Sequence, residues 1–262
     1  TLGLVGESGC GKSTIARAIM QLPKPSSGQV IFQGEDLTGV DKQRLRQLRT
    51  QFQMIFQDSV SSLNPKRKIV DTIAEPLKII EKSNRMERVC RAREMMESVG
   101  IDPQNGNRKP FQLSGGQCQR VQIARALMAN PKLLICDEPL SSLDVSVQAQ
   151  IINLLEELRK KHQLTMLFIS HDLCVVKNVC DKVAVMYLGK LCEQAPSDKL
   201  YRAHRHPYTQ ALLSAIPRLE PGLSPGRINI LAGEMPSPID PPLGCRFRTR
   251  CPRACDLCSK QE

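Results

Sequence analysis

The segment Gly6-Glu7-Ser8-Gly9-Cys10-Gly11-Lys12-Ser13-Thr14 decides the fold, because it has the spacing G-x-x-x-x-G-K-[ST] of a P-loop. The apolar run before it predicts a buried strand, and residues 15–20 after it predict a helix. Backbone N–H groups of such a turn form a concave anion site at a helix N-terminus. We expect Lys12 to reach the β- and γ-phosphates of a nucleotide and the Ser13 hydroxyl to ligate Mg²⁺. The candidate nucleotide-binding residues are Gly6, Ser8, Gly9, Cys10, Gly11, Lys12, Ser13 and Thr14.

Length and composition narrow the class of protein. The 262 residues suffice for one large domain with an appendage, and 41% of them are hydrophobic. No segment approaches the roughly 18 uninterrupted apolar residues of a spanning helix, so we expect no membrane span. The net charge of +11 is spread along the chain, and only 3% of residues are aromatic. Both features argue against a nucleic-acid interface, because a dedicated basic stripe and base-stacking side chains are both lacking in the sequence. The spread positive charge suits a nucleotide-binding protein near anionic lipid.

Predicted strands and helices alternate along most of the chain, which is typical of an α/β fold with a parallel or mixed sheet. After the first strand, the predicted strands are 28–34, 52–56, 132–136, 165–169 and 183–187. Predicted helices cover 41–48, 119–128 and 147–160, and helices at 69–80 and 85–99 predict an inserted helical subdomain. Beyond Tyr187 this alternation is lost, apart from a short helix after His206, and prolines between 217 and 242 predict an irregular segment.

Polar residues follow several of the predicted strands. Gln57, Asp137 and His171 each come just after a strand, as the P-loop does. Sites in parallel sheets lie at the carboxyl ends of the strands, so we expect these residues to share a site. Asp137 has the Walker B arrangement and would hold Mg²⁺ opposite Ser13. Glu138 beside it would orient and deprotonate an attacking water.

A second glycine-rich turn, Leu113-Ser114-Gly115-Gly116-Gln117, narrows the class further. By itself it also fits a helix-capping turn with Ser114 as the N-cap. Followed by Asp137, and accompanied in order by Gln57, Ser142-Leu143-Asp144 and His171, it resembles the signature motif of ABC ATPases. The expected fold is therefore a P-loop NTPase ABC cassette, with a RecA-like core, an inserted helical subdomain and a C-terminal Pro/Cys-rich extension.

The resemblance implies a division of labour between two cassettes packed head to tail. Each ATP would lie between one P-loop and the signature motif of the partner, so Ser114, Gly115, Gly116 and Gln117 would act in trans. Gln57 would sense Mg²⁺ and the water and would couple to a membrane subunit. His171 would hold the γ-phosphate, and Asp144 would belong to the D-loop. The implied catalytic residues are Glu138, His171 and Gln57, and the implied Mg²⁺ ligands are Ser13, Gln57 and Asp137.

A closer resemblance covers nearly the whole chain. It is carried by Met54–Asp58, Ser62–Pro65, Ala74–Leu77, Leu143–Ser146, Met186–Gly189, His206–Thr209, Gly233–Pro238, Gly244-Cys245 and Arg250–Pro252. These segments resemble the ATP-binding subunits of bacterial oligopeptide/dipeptide importers, nearest the F-type subunits. The resemblance implies an ATPase core at 1–57 and 112–196, a helical subdomain at 58–111 and a peptide-importer extension at 197–262.

Membership of that group implies the cofactors ATP and Mg²⁺ and a set of partners. These are a second ABC ATPase subunit, two membrane permease subunits and, indirectly, a solute-binding protein. The implied location is peripheral, on the cytoplasmic face of the inner membrane, and no nucleic-acid partner is expected. The group also contains importers of nickel and other small solutes, and the ATPase does not touch the solute.

Two other functions compete with the importer. One is a soluble ABC ATPase acting on nucleic acid or ribosomes, although sustained heptads and a second cassette are both absent from the sequence. The other is a non-functional truncated cassette. Family members carry about two strands and an adenine-stacking aromatic residue before the P-loop, and here the P-loop strand comes first. Because the other ATPase motifs are intact, we expect a fragment truncated at the N-terminus.

Four of the 11 cysteines lie close together near the C-terminus, at Cys245, Cys251, Cys255 and Cys258. Thiolates this close in a reducing compartment favour a metal over disulfides. Cys255 and Cys258 alone have the C-x₂-C spacing that zinc prefers, whereas an iron–sulfur cluster accepts looser spacing. The family resemblance implies a [4Fe–4S] cluster, with zinc or no metal as alternatives. It matches Cys245, Cys251 and Cys258 to cysteines of the related tails, whereas Cys255 is extra and is either a substitute fourth ligand or a bystander. Four arginines would offset the charge of the cluster, namely Arg246, Arg248, Arg250 and Arg253. Because this tail lies far along the chain from the P-loop, we expect Cys251→Ser to lose the cluster and keep nucleotide binding.

Overall fold

The fold is taken from a computed structural model that describes residues 1–81, 83–216 and 233–261. The chain divides into two compact units. The first unit joins Thr1–Ile15 to Phe168–Glu262, and the second is Ala16–Leu167. Much of the proline-rich segment predicted to be irregular, residues 217–232, lies outside the described residues.

The helices and strands alternate as expected, with a helical stretch in the middle of the chain. The strands are β1 (Leu2–Val5), β2 (Ile31–Phe32), β3 (Glu35–Asp36), β4 (Phe52–Ile55), β5 (Leu133–Asp137), β6 (Thr165–Ile169), β7 (Lys182–Tyr187) and β8 (Lys190–Pro196). The helices are α1 (Lys12–Ile19), α2 (Lys42–Leu48), α3 (Ile69–Ile80), α4 (Arg85–Ser98), α5 (Gly115–Leu127), α6 (Val145–His162), α7 (Leu173–Val179), α8 (Ser197–Ala203) and α9 (Pro207–Ser214).

In the first unit, β7 is the central strand of a mixed sheet. It pairs in parallel with β1, from Leu2 opposite Lys182 to Val5 opposite Val185, and antiparallel with β8. Helix α7 covers β1 so closely that a Cβ on Gly3 would lie 2.8 Å from a Val176 methyl group. β1 and β7 are almost entirely buried, which explains their continuous apolar sequences.

The expected loss of regular structure after Tyr187 is wrong for β8 and α8. Strand β8 contains Lys190, Glu193 and Gln194, and none of its residues is fully buried. An edge strand of this kind is held by backbone pairing with β7 rather than by burial of its side chains. A pattern based on hydrophobic periodicity therefore misses it.

In the second unit, β4 and β5 pair in parallel, from Phe52 opposite Leu133 to Ile55 opposite Cys136. Helix α5 packs on β4, and α3 packs on α4 and α5, so the predicted helical stretch is present. The predicted strand 28–34 is wrong in extent, because the chain forms a hairpin of β2 and β3 instead. Gln33 and Gly34 both have positive φ, 51° and 85°, as a tight two-residue hairpin turn requires.

Candidate active site

The P-loop connects β1 to α1 in the first unit, as the sequence predicts. Gly6, Gly9 and Gly11 have φ values of 156°, 83° and 104°, which a residue with a side chain rarely adopts. A Cβ on Gly6 would also lie 2.2 Å from the Met186 carbonyl oxygen of β7. The glycines therefore allow the backbone conformation of the turn. The turn exposes Ser8 and Gly9 at its tip.

Lys12 is 4% exposed, and its ammonium group is held by the loop itself. Nζ donates hydrogen bonds to the carbonyl oxygens of Gly6 at 2.9 Å and Glu7 at 3.0 Å. Carbonyl dipoles orient the ammonium group without cancelling its charge, so the loop retains its attraction for an anion. Cys10 lies beneath the same turn at 1% exposure, and burial raises the pKa of its thiol. A buried neutral thiol of this kind packs as a small hydrophobic side chain.

Gln57, Asp137 and Glu138 come together in the second unit, because β4 and β5 are neighbouring parallel strands. The side-chain nitrogen Nε2 of Gln57 donates a 3.0 Å hydrogen bond to the Glu138 carboxylate. Asp137 ends β5 and is 3% exposed. Glu138 has a left-handed backbone with φ of 45°, which is uncommon for a residue with a side chain and is concentrated at functional sites.

Ser114 is the N-cap of α5, so the capping interpretation of the second glycine-rich turn is correct. The Gln117 amide N–H donates to Ser114 Oγ at 3.3 Å, and the Ser114 amide N–H donates to the Gln117 side chain at 3.1 Å. This capping box leaves Ser114 and Gly115 exposed. The N-terminus of α5 therefore presents the Ser114 hydroxyl and the backbone N–H groups of its first turn at the surface. Such a helix N-terminus attracts an anion.

The last two candidate residues are both exposed. Asp144 occupies the N-cap position of α6 but makes no capping hydrogen bond with its side chain. His171 follows β6 by two residues, and neighbouring Asp172 caps α7 through the backbone N–H groups of Cys174 and Val175. The structure thus places the P-loop and His171 in the first unit, and Gln57, Asp137, Glu138, Ser114 and Asp144 in the second.

Comparison with known proteins identifies the family. Residues 1–141 match the model of the family described as "ABC transporter", and residues 192–258 match "Oligopeptide/dipeptide transporter, C-terminal region". The oligopeptide transport ATP-binding protein OppF of Salmonella typhimurium is 52% identical over 99% of this chain and 78% of its own length. The chain belongs to the family of ABC transporter ATP-binding proteins.

Two further relatives and a solved structure agree with this assignment. The di/tripeptide transport protein DppF of Pseudomonas aeruginosa is 48% identical over 100% of this chain and 80% of its own length. AppF of Bacillus subtilis is 49% identical over the same shares. The ATP-binding cassette MJ0796, solved as a post-hydrolysis dimer with ADP and Pi, has a TM-score of 0.68 and 30% identity over 75% of this chain and 84% of its own. This ABC cassette is therefore an ATPase whose hydrolysis of ATP is coupled to transport.

The cassette's P-loop has partners that the sequence does not reveal. The Glu7 amide N–H donates to the Tyr208 hydroxyl at 2.8 Å, and the guanidinium of Arg250 binds both carboxylate oxygens of Glu7 at 2.7 and 3.2 Å. Distance along the chain therefore does not keep the tail away from the P-loop in the fold, and the expected effect of Cys251→Ser stays a prediction. Arg250 binds Glu7, so it is not only a counter-charge for the cysteines. In the sequence, the motif His206–Thr209 around Tyr208 is the one feature that points to this region.

The tail cysteines are free thiols, and the structure places two of their sulfur atoms side by side. Cys255 Sγ and Cys258 Sγ are 3.6 Å apart, and the hydrogen bond from Cys258 lowers the pKa of Cys255. Within 1–81, 83–216 and 233–261, no three His, Cys, Asp or Glu side chains form a group able to hold a metal ion. The four cysteines thus do not form the ligand set that a cluster needs in this conformation.

Proposed function

We propose that this protein is the ATP-hydrolysing subunit that energises import of dipeptides and oligopeptides. The hydrogen bond between Gln57 and Glu138 carries the proposal, because it joins two expected catalytic residues that are 81 positions apart in the sequence. The match of residues 192–258 to the oligopeptide/dipeptide transporter C-terminal region supports the peptide substrate class. The names of three relatives near 50% identity support it too.

Each residue of the site has a proposed part in the transfer of the γ-phosphoryl group to water. Lys12 and the N–H groups of the P-loop bind the phosphates, and His171 holds the γ-phosphate. Gln57 orients water, and Glu138 accepts a proton from it. The buried Asp137 carboxylate and the Ser13 hydroxyl are oxygen donors of the kind that Mg²⁺ prefers. When bound, Mg²⁺ would neutralise charge on the phosphates.

The proposed partners are a second ATPase subunit, two permease subunits and, through them, a solute-binding protein. The exposed signature turn at Ser114 supports the first, because a surface anion site on the same chain's helix suits a nucleotide held by another cassette. None of the helices within the described ranges is long and apolar enough to cross a membrane. From the likeness to transport ATP-binding proteins, we propose peripheral attachment through the permeases at the cytoplasmic face of the inner membrane, with no nucleic-acid partner.

A groove in the second unit supports docking of a permease. It has a volume of about 300 Å³ and is lined by Phe56, Ile79 and Ile80, which are 41%, 57% and 40% exposed. Arg46, Arg49 and Arg125 lie at the same groove. Glu75 also lines the groove and pairs with Arg125 at 3.1 Å, which leaves an excess of positive charge from Arg46 and Arg49. Large apolar side chains beside this excess charge suit an amphipathic helix with acidic ends. Because Phe56 precedes Gln57, we propose that occupation of this groove is transmitted to the hydrolysis site.

We also propose the domain boundaries expected from the sequence. The ATPase core is 1–57 and 112–196, the helical subdomain is 58–111, and the extension is 197–262. The presence of α3 and α4 within 58–111 supports the subdomain. The family match to residues 192–258 supports the extension.

Reconstitution with the permeases and the solute-binding protein in liposomes tests the proposal. Uptake of a labelled tripeptide should require ATP, and Glu138→Gln should lower turnover by roughly 10²- to 10⁴-fold while ATP binding is retained. Uptake of Ni²⁺ without uptake of peptide would instead support the nickel importer. Turnover of the Glu138→Gln variant close to wild type would contradict the assigned base.

The metal in the tail stays a prediction from the sequence. A [4Fe–4S] cluster held by Cys245, Cys251, Cys255 and Cys258 would give a brown protein with about four iron and four sulfide per chain after anaerobic purification. A colourless protein with one zinc would support the alternative site. A metal-free protein would agree with the described arrangement, in which the Cys255 and Cys258 sulfur atoms are 3.6 Å apart and no larger group of metal-ligating side chains forms among the described residues.

A further inference from the structure

The P-loop contains an acidic side chain at a place where negative charge opposes its function. Glu7 follows the first glycine of the loop, and its backbone carbonyl oxygen accepts a 3.0 Å hydrogen bond from Lys12 Nζ. A nucleotide triphosphate brings several negative charges to this loop, and a carboxylate in the loop repels them. Within the loop, Lys12 is the sole cation to offset that carboxylate.

Arg250 supplies the missing positive charge from the other end of the chain. Its guanidinium forms a bidentate ion pair with the Glu7 carboxylate. The side chain of Arg250 is only 7% exposed, and that of Glu7 is 30% exposed. Two parallel charge-assisted hydrogen bonds fix the orientation of both groups. The hydrogen bonds with Glu7 raise the pKa of Arg250, so it stays charged at any pH in use.

The stretch of the tail that carries Arg250 is anchored by a buried aromatic cluster. Tyr187 packs edge to face on Tyr208 and on Phe247, and the rings of Tyr208 and Phe247 are tilted against each other. The ring centroids are between 4.8 and 5.3 Å apart, and all three rings are almost completely buried. Phe247 lies three residues before Arg250 and so anchors that part of the tail. Tyr208 also accepts the Glu7 amide hydrogen bond, which fixes the backbone at the same residue.

We infer that Arg250 is a positioning residue for nucleotide binding, which neutralises Glu7 and holds its carboxylate away from the phosphates. The C-terminal extension thereby tunes the affinity of the P-loop, and the adjacent Cys251 lies one residue from the contact. Met235 is another residue of the extension that lies near the loop, because its terminal methyl group would be 3.3 Å from a Cβ built on Gly9. The inference rests on the proposed role of the P-loop in binding phosphate.

A charge cycle in the full-length subunit tests the inference. ATP affinity is measured with a fluorescent ATP analogue for wild type, Arg250→Met, Glu7→Gln and the double variant. We expect Arg250→Met to bind about tenfold more weakly, which corresponds to about 1.4 kcal/mol, because it leaves Glu7 uncompensated. The double variant should recover to within about threefold of wild type, since removing the carboxylate removes the need for Arg250. Arg253→Met is the matched control, because Arg253 is exposed in the same tail, and it should bind normally.

The readouts separate an electrostatic role from a packing role. Raising the salt concentration should shrink the defect of Arg250→Met, since screening weakens repulsion between carboxylate and phosphate. A defect that persists in the double variant and is independent of salt would overturn the inference, as would normal binding by Arg250→Met. Thermal unfolding of each variant identifies any that fail to fold, and Arg250→Lys then replaces Arg250→Met, with an intermediate affinity expected. Lys12→Ala tests the P-loop separately. If this variant bound ATP as tightly as wild type, the proposed phosphate site would be contradicted, whatever the role of Arg250.

Discussion

The two glycine-rich turns, Gly6–Thr14 and Ser114–Gln117, use glycine for different physical reasons. In the P-loop, three glycines have positive φ, and the turn is held from outside by Tyr208 and Arg250. In the signature turn, Gly115 and Gly116 belong to the first turn of α5, and a Cβ on Gly116 would lie 2.6 Å from a Val147 methyl group. One turn needs glycine for its backbone and the other for close packing.

Lys12→Ala gives the largest expected effect, because it removes the buried ammonium group of the P-loop. We expect ATP affinity to fall about 100-fold, the order of magnitude for losing charged hydrogen bonds to a ligand. Isothermal titration calorimetry of the isolated subunit with ATP measures this loss of affinity. A comparable loss of affinity from Ser114→Ala on the same chain would break the distinction between a turn that binds in cis and one that acts in trans.

Ser114→Asp sharpens the comparison at the second turn. Aspartate is as good an N-cap as serine, so the melting temperature should stay within a degree or two of wild type. A carboxylate facing a nucleotide on the partner cassette would repel it, so turnover of the assembled transporter should fall at least about tenfold. Affinity for ATP in the isolated subunit should not change. Ser114→Ala is the control, because it loses the cap and should cost about 1 kcal/mol of stability.

Paired alanine substitutions separate the two uses of glycine. Gly116→Ala should destabilise the fold by about 1–3 kcal/mol through overpacking, and Val147→Ala in the same chain should recover most of that loss. Gly9→Ala should also destabilise, but removing its one close neighbour with Met235→Ala should not help, because the strain lies in a φ of 83°. Thermal unfolding of the four variants decides, and rescue of both glycines would show that the turns do not differ.

The sequence predicts the local features of the site, because each is encoded within a few residues. An apolar run ending in a polar residue locates β5 and Asp137, and the parallel pairing of β4 and β5 then explains why Gln57 meets Glu138. The contact between Arg250 and Glu7 joins residues 243 positions apart, and no local pattern encodes it. It depends on burial of Phe247 against Tyr187 and Tyr208, which only the folded chain reveals.

The smallest expected effect concerns the pH dependence of the anchor of the P-loop. His206 is the N-cap of α9, and its Nδ1 accepts the Tyr208 amide hydrogen bond at 3.1 Å. Burial lowers the pKa of His206, although the neighbouring Glu193 carboxylate opposes the shift. The folded protein therefore binds a proton less readily than the unfolded chain, and stability falls as the pH drops below about 6.5.

His206→Asn should remove this dependence, because asparagine is a good N-cap that does not titrate in this range. Calorimetry at pH 7.5 and 5.5 should show a loss of less than about 1 kcal/mol in wild type that is reduced in the variant. His162, in the second unit, also has a pKa lowered by burial and by Lys161, so His162→Gln is the matched control. If the P-loop anchor is the pH-sensitive part, ATP affinity at pH 5.5 should improve in His206→Asn relative to wild type but not in His162→Gln. Equal changes in both variants would show that protonation acts on global stability alone and leaves the anchored turn no more sensitive than the rest of the chain.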